Sequence, residues 1–173
     1  MMKCKYISAC ILLLLFAACS AKKKTLAEAM KDPGIRQEKE INKVKVVLSY
    51  MPACWQRNLD RGEADTSTMT FRVQVTPDKN SVRQTDNKAA SFGTDSLFAL
   101  VTGGDTIRPI YSERIANGNI TGVEYVVAFE RRLTGQSNAL RFIYMDWLFS
   151  AARMEFFYER TNISKVDELS CSL

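Results

Sequence analysis

Histidine is absent from this chain of 173 residues, and that absence limits its chemistry. Without imidazole there is no Ser-His or Cys-His nucleophile, no histidine-ligated zinc and no histidine pH switch. Past residue 19, the chain carries Cys54 and Cys171 as its cysteines, and they lie too far apart for a Cys-x-x-Cys redox or metal motif. In an oxidising compartment the two can form a disulfide. Alternatively, one is a buried thiol and the other a free thiol near the carboxyl terminus, and the sequence does not decide between these states.

Carboxylates are the remaining groups for acid–base catalysis, and a pair of them can hydrolyse a glycosidic bond. Candidates near predicted strand ends or faces are Asp95, Asp105, Asp146, Glu155 and Glu159. The pairs Glu124/Glu130 and Glu155/Glu159 fit the outward register of their strands, so solvated faces explain them. A domain of this size is also too small for the deep cleft of such enzymes, so a carboxylate-dependent hydrolase is the least favoured function.

Aromatic residues off the strand alternation are the best binding candidates. Trp55, Tyr111 and Trp147 fall at predicted strand ends. An exposed tryptophan can stack on a sugar or anchor a protein partner, whereas packing in the core or its rim is the structural alternative. The segment Met145–Phe149 places four large apolar residues around one aspartate, as a corner closing the domain or as an exposed apolar patch.

The amino terminus has the pattern of an export signal. Lys3 and Lys5 precede the thirteen uncharged residues 6–18. This run is shorter than the roughly 20 residues of a membrane-spanning helix, so residues 1–18 are predicted to be a signal peptide. Its removal would lower the net charge from +5 to +3, which is too mild to predict nucleic-acid binding.

The end of that run, Phe16-Ala17-Ala18-Cys19, resembles the lipobox of bacterial lipoproteins of the signal peptidase II type. The resemblance implies cleavage after Ala18, a diacylglycerol on the Cys19 sulfur and an acylated amino terminus. Ser20 implies sorting to the outer membrane. In lipoproteins of the Bacteroidetes type, surface display needs acidic residues just after the cysteine, so the resemblance to that type implies the periplasmic face, because the next charges here are Lys22, Lys23 and Lys24. No cofactor other than this covalent lipid is expected.

Residues 19–42 are predicted to be the lipidated cysteine and a short helical or flexible tether. Thr25 and Glu28 form a capping-box pattern that predicts about two helical turns, ended by the sequence Asp32-Pro33-Gly34. The mixed charges of residues 36–43 predict a solvated spacer.

Residues 43–160 have the two-residue apolar period of strands, for example at Met69, Phe71, Val73 and Val75. About seven such segments, with no helix long enough for a parallel crossover, predict an antiparallel β-sandwich of immunoglobulin-like or transthyretin-like kind. Residues 98–109 are similar to a hairpin common in immunoglobulin-like bacterial lipoproteins. Residues 161–173 are predicted to be a tail, either one helical turn capped by Ser164 or a frayed end.

We therefore expect a non-enzymatic lipoprotein, held on the outer membrane by its lipid, that serves as a docking or assembly module for an envelope protein. One concrete version resembles, in architecture, the sandwich lipoprotein that pins a type VI secretion complex to the outer membrane. The alternative is a glycan-binding module that uses Trp55 and Trp147, and no nucleic-acid partner is expected.

Overall fold

The computed structural model describes residues 25–55, 66–78, 93–118, 121–135 and 137–172. The predicted signal peptide, residues 1–18, and the predicted lipid attachment at Cys19 lie outside these described residues. So do tether residues 20–24.

The described chain forms two packed antiparallel sheets, which confirms the predicted all-β sandwich. The five-stranded sheet has the order β1-β2-β3-β7-β6, and the four-stranded sheet has the order β5-β4-β8-β9. The strands are β1 Arg36–Ile41, β2 Val44–Met51, β3 Thr68–Thr76, β4 Phe98–Thr102, β5 Asp105–Ile107, β6 Tyr111–Arg114, β7 Val123–Glu130, β8 Ala139–Asp146 and β9 Ala152–Glu159.

The core lies between the sheets and is built by strict alternation. Alternate residues of β3 are fully buried, and Phe71 lies at the centre of this layer. Its ring is 5.0 Å from that of Phe142 and 5.3 Å from that of Tyr158, both on the facing sheet. Such edge-on and tilted aromatic contacts add to the burial energy of the two inner faces.

The charged stretch predicted to be a spacer is instead strand β1, which pairs with β2 from Arg36↔Ser49 to Ile41↔Val44. Its charged side chains are typical of an edge strand, because charges on an edge discourage pairing with a strand of another molecule. The Gln37 side chain also accepts a hydrogen bond from the Phe157 backbone N–H at 3.3 Å and donates one to the Phe157 carbonyl. The Gln37 side chain therefore caps part of the outer edge of β9 in the other sheet.

A second difference from the expected seven strands lies around Pro109. On its two sides the chain forms two separate short strands, β5 in one sheet and β6 in the other. Proline has no N–H to donate to a strand ladder, so the chain changes sheets there.

Two helices lie at one end of the sandwich, which we call the helical end. Helix α1, Leu26–Ala29, has the predicted capping box but only one turn: Thr25 N donates to Glu28 Oε2 at 2.9 Å, and Glu28 N donates to Thr25 Oγ1 at 3.3 Å. The predicted tail is instead the twelve-residue helix α2, Arg160–Cys171. Its Ile163 and Val166 are buried in the core, which makes a full helix stable where an isolated one would fray.

The opposite end, which we call the hairpin end, carries the turns of two hairpins. Asn42 and Lys43 join β1 to β2 with φ values of 50° and 61°, the backbone of a two-residue hairpin turn. Asn42 Nδ2 donates to the Ser150 carbonyl at 3.0 Å, which places the β8–β9 turn beside it. Strand β2 runs between the two ends, and its eight residues span about 26 Å.

Candidate functional site

The β8–β9 turn is organised around one buried carboxyl group. Asp146 ends β8 and is 0% exposed. Its Oδ1 accepts hydrogen bonds from Tyr144 Oη at 3.1 Å, Leu148 N at 3.2 Å and Phe149 N at 3.1 Å. Its Oδ2 accepts from Ser150 N at 2.8 Å and Ser150 Oγ at 2.6 Å. Five donors therefore hold the turn in one conformation.

The local sequence explains why the turn forms here. An aspartate just after a strand satisfies the backbone N–H groups that the reversing chain leaves unpaired. Ala151 completes the reversal with a φ of 50°, a left-handed conformation that is unfavourable for any residue with a Cβ atom. A non-glycine residue keeps this conformation only where its surroundings impose it, and the bonds to Asp146 do so.

Trp147 lies at the tip of this turn with its side chain outside the core. It is 64% exposed, the most exposed large apolar residue in the part of the chain that the structure describes. Leu148 and Phe149 are half-buried and pack against the core. The segment Met145–Phe149 therefore combines the two predicted alternatives. Leu148 and Phe149 close the sandwich as a corner, and the Trp147 indole forms an exposed apolar patch.

A rigid support makes this indole a good contact residue. When a mobile side chain binds a partner, the entropy cost of ordering that side chain and its backbone lowers the affinity. Here the backbone beneath Trp147 is already ordered by Asp146, and the Asn42–Lys43 turn lies beside it. Asn42 and Lys43 are both exposed, so they provide a polar border next to the apolar tip.

The other two predicted contact residues lie elsewhere. Trp55 is half-buried at the helical end, where its backbone N–H donates to the Pro52 carbonyl at 2.9 Å. Tyr111 is half-exposed on β6, one of the two edge strands of the five-stranded sheet, and its hydroxyl donates to Glu113. Because the length of β2 separates Trp55 from Trp147, the two tryptophans do not form a common binding platform.

The helical end contains a partly buried cluster that no expectation from the sequence included. Asp167 on α2 accepts from Tyr50 Oη, Ala53 N and Arg131 Nη1, each at 2.8 Å. Arg131 Nη2 also donates to Tyr50 Oη at 2.6 Å. Burial, with the neighbouring Asp167 charge, raises the pKa of Tyr50 above its ordinary value. These residues are far apart in sequence, so no local pattern could have revealed the cluster.

A disulfide joins Cys54 to Cys171 beside this cluster, with 5.1 Å between their Cα atoms. It fastens the end of α2 to the segment that follows β2. Together, the disulfide and the Asp167 hydrogen bonds hold α2 against the sandwich, so this end is built for stability.

The carboxylates considered for hydrolysis are spread over the sandwich. Asp95 and Asp105 lie at opposite ends of β4 and are exposed, and Glu159 is exposed at the end of β9. Glu155 is half-buried and bound by Arg141 at 3.3 Å and by Arg153 at 2.7 Å. Asp146 supports the turn already described.

The prediction that Glu124 is solvated was wrong. It faces outward on β7 but is only 5% exposed, because side chains of the neighbouring strand β3 cover it. Arg72 donates to it, as do Gln74 Nε2 at 3.3 Å and Asn117 Nδ2 at 2.9 Å. Burial alone would raise the pKa of Glu124, but these donors and the Arg72 charge outweigh it and lower the pKa below the ordinary value.

The described ranges also bear on metal binding and on membrane spanning. No group of three or more Cys, Asp or Glu side chains there is arranged to hold a metal ion. None of the helices described is long and apolar enough to cross a membrane.

Comparison with known proteins adds no assignment. No family model matches the chain, and no curated protein or solved structure matches it significantly. The candidate site therefore rests on the geometry of the Trp147 turn.

Proposed function

We propose that this protein is a non-enzymatic lipoprotein, anchored in the outer membrane through acyl groups on Cys19, that docks an envelope protein on the periplasmic side. The observation that carries this proposal is the Trp147 turn: an exposed indole on a backbone held by five hydrogen bonds, at the end of the sandwich away from the chain's entry.

The positions of the two ends support this role. The described chain enters at Thr25, at the helical end, and the six peptide steps from Cys19 to Thr25 reach at most about 22 Å. The hairpin end is separated from the helical end by the roughly 26 Å length of β2. A lipid at Cys19 would hold the helical end towards the membrane, and Trp147 would then project into the aqueous space beyond it.

The chemistry of the tip also suits a protein partner. Tryptophan is enriched among the few residues that carry most of the binding energy at interfaces, where it fills a pocket inside a polar border. A stable interface covers about 800 Å² on each partner, so Trp147 would act as an anchor within a larger contact that includes the Asn42–Lys43 turn. A type VI secretion-like complex is one version of such a partner, suggested by the sandwich architecture.

Crosslinking in the native host tests the docking role. The full-length protein, expressed with its own leader, would be crosslinked in cells and recovered from detergent as wild type, Trp147→Ala and Phe157→Ala. Phe157 is the matched control, since it is 61% exposed and lies on the face of β9. We expect one specific complex that Trp147→Ala weakens by about 2 kcal/mol or more, while Phe157→Ala leaves it intact. Recovery of monomer alone, or equal loss in both variants, would refute the proposal.

Glycan binding is the second candidate, and the exposed Trp147 indole is the observation that favours it. The indole can stack on a sugar ring, although Trp55 lies at the other end of the domain and would not contribute. Titration with envelope polysaccharides would change the fluorescence of wild-type protein but not of Trp147→Phe. Unchanged fluorescence across the sugars tested would exclude those sugars.

A further inference from the structure

A cleft separates the two helices at the helical end. It has a volume of about 460 Å³ and lies between α1, the turn that follows it, and α2. Ala29, Ile35 and Val166 line it and are each less than 5% exposed, so they form its floor, and the half-buried Leu169 forms part of a wall. Small-molecule sites typically have volumes of about 300–1,000 Å³ and mainly apolar walls. The cleft therefore has the size and lining for a slender apolar ligand.

The charges near the cleft favour a neutral ligand. Asp32, Lys165 and Glu168 also line it, which gives two acidic groups against one basic group. An anionic head group, such as that of a free fatty acid, would meet a net negative site. An acyl chain in ester or amide linkage has no charge and avoids this repulsion.

The chain itself brings such acyl groups close to the cleft. Ala29 on the floor belongs to α1, and α1 begins one residue after Thr25. Five residues lie between Cys19 and Thr25, so the Cα atom that carries the lipid stays within about 22 Å of Thr25, the residue before α1. Such a short connection makes binding intramolecular and gives the acyl chain an effective concentration in roughly the millimolar range at the cleft.

We infer that the cleft receives one acyl chain of the lipid on Cys19 of the same molecule when the protein is away from a bilayer. This inference rests on the lipid anchor in the proposed function. In water, contact with the apolar floor of the cleft lowers the free energy of an exposed acyl chain, because it removes apolar surface from water. A bilayer surrounds the whole chain with hydrocarbon and is the better solvent, so insertion into a membrane would empty the cleft.

Photocrosslinking tests the inference on the full-length processed protein. Cells would be fed a fatty acid that carries a diazirine, and the purified protein would be freed of detergent, irradiated, digested and analysed by mass spectrometry. We expect the Cys19 lipid to be joined to peptides of α1 or α2. Adding vesicles of phosphatidylethanolamine and phosphatidylglycerol before irradiation should strongly reduce this product.

A matched pair of variants, one directly after α2 and one on it, locates the site. Ser172, the residue that follows α2, lines the cleft and is exposed, so Ser172→Trp should fill the space and lower the crosslink about tenfold. Ser164 is exposed on α2 but does not line the cleft, so Ser164→Trp should leave the crosslink unchanged. Intact disulfide mass and unchanged circular dichroism would show that both variants fold.

The outcomes separate the two proposals. An acylated Cys19 with no adduct on α1 or α2, or with a crosslink that Ser172→Trp does not reduce, overturns the cleft inference and leaves the anchor standing. Phospholipid adducts at the cleft without Cys19 overturn the assignment to the protein's own lipid. An unmodified Cys19 thiol overturns the anchor itself, and the cleft inference with it.

Discussion

Ser150 donates two hydrogen bonds to the same oxygen of Asp146, one from its backbone N–H at 2.8 Å and one from its hydroxyl at 2.6 Å. This double connection spans the base of the turn that carries Trp147. It ties the last residue of β8 to the residue before the left-handed Ala151, and so fixes both the shape of the turn and the direction of β9.

Replacing Asp146 by Asn should therefore destabilise the domain. In the wild type, both carboxylate oxygens of Asp146 accept hydrogen bonds. The asparagine amide replaces one of these oxygens with an NH₂ group, so the donors that were bonded to that oxygen lose their acceptor. We expect a loss of about 2–3 kcal/mol in the free energy of unfolding, measured by urea denaturation. The control is Asp105→Asn at an exposed position, expected to change stability by less than about 0.5 kcal/mol. Equal denaturation midpoints for Asp146→Asn and wild type would contradict this role.

The hydroxyls of Tyr144 and Tyr125 provide a contrasting pair. Tyr144 Oη donates to Asp146 at 3.1 Å, whereas Tyr125 Oη is buried and has no hydrogen-bond partner among the described residues. Burial raises the pKa of Tyr125 to about 12. We expect Tyr144→Phe to cost about 1–2 kcal/mol and Tyr125→Phe to be neutral or stabilising, since it removes an unsatisfied polar group. Thermal unfolding of the two variants measures the difference, and a larger loss for Tyr125→Phe would show that its hydroxyl has a partner.

The disulfide between Cys54 and Cys171 closes a loop with a sequence separation of 117 residues. On the chain-entropy model, a crosslink of this span stabilises the folded state by about 5 kcal/mol. The double variant Cys54→Ala/Cys171→Ala should lose much of this free energy in urea denaturation. A reducing agent should lower the midpoint of the wild type and have no effect on the double variant. A wild type that is insensitive to reduction would contradict the prediction.

Acid sensitivity should depend on Glu124. Its pKa is lowered in the folded state, so it contributes stability above the ordinary glutamate pKa and loses that contribution as the pH falls through its folded value. Glu124→Gln should be less stable than wild type near neutral pH, and the gap should close as the pH approaches about 3. Urea midpoints across this range measure the gap. Glu40→Gln, at an exposed position on β1, serves as the control and should run parallel to wild type. A gap that is constant with pH would argue against the lowered pKa.

Local patterns in the sequence determined much of the fold. The apolar alternation of β3 and the capping box of Thr25 and Glu28 could be recognised directly, because strand faces and helix starts depend on residues two to four positions apart. The predicted sandwich followed from several such strands in succession. The sequence also pointed to Trp147, because the residue falls outside the alternation of β8.

Only the tertiary structure decided the features that join distant segments. The charged sequence of β1 lacks the apolar alternation of a strand. It forms a strand because β2 pairs with it and because Gln37 forms hydrogen bonds with β9. Glu124 has the register of a solvated residue, yet Arg72 on the neighbouring strand covers and binds it. Trp147 lies exposed at the tip of the turn that Asp146 binds, whereas Trp55 is half-buried at the helical end. Each of these outcomes depends on a contact between residues remote in sequence, and periodicity within one segment carries no information about such contacts.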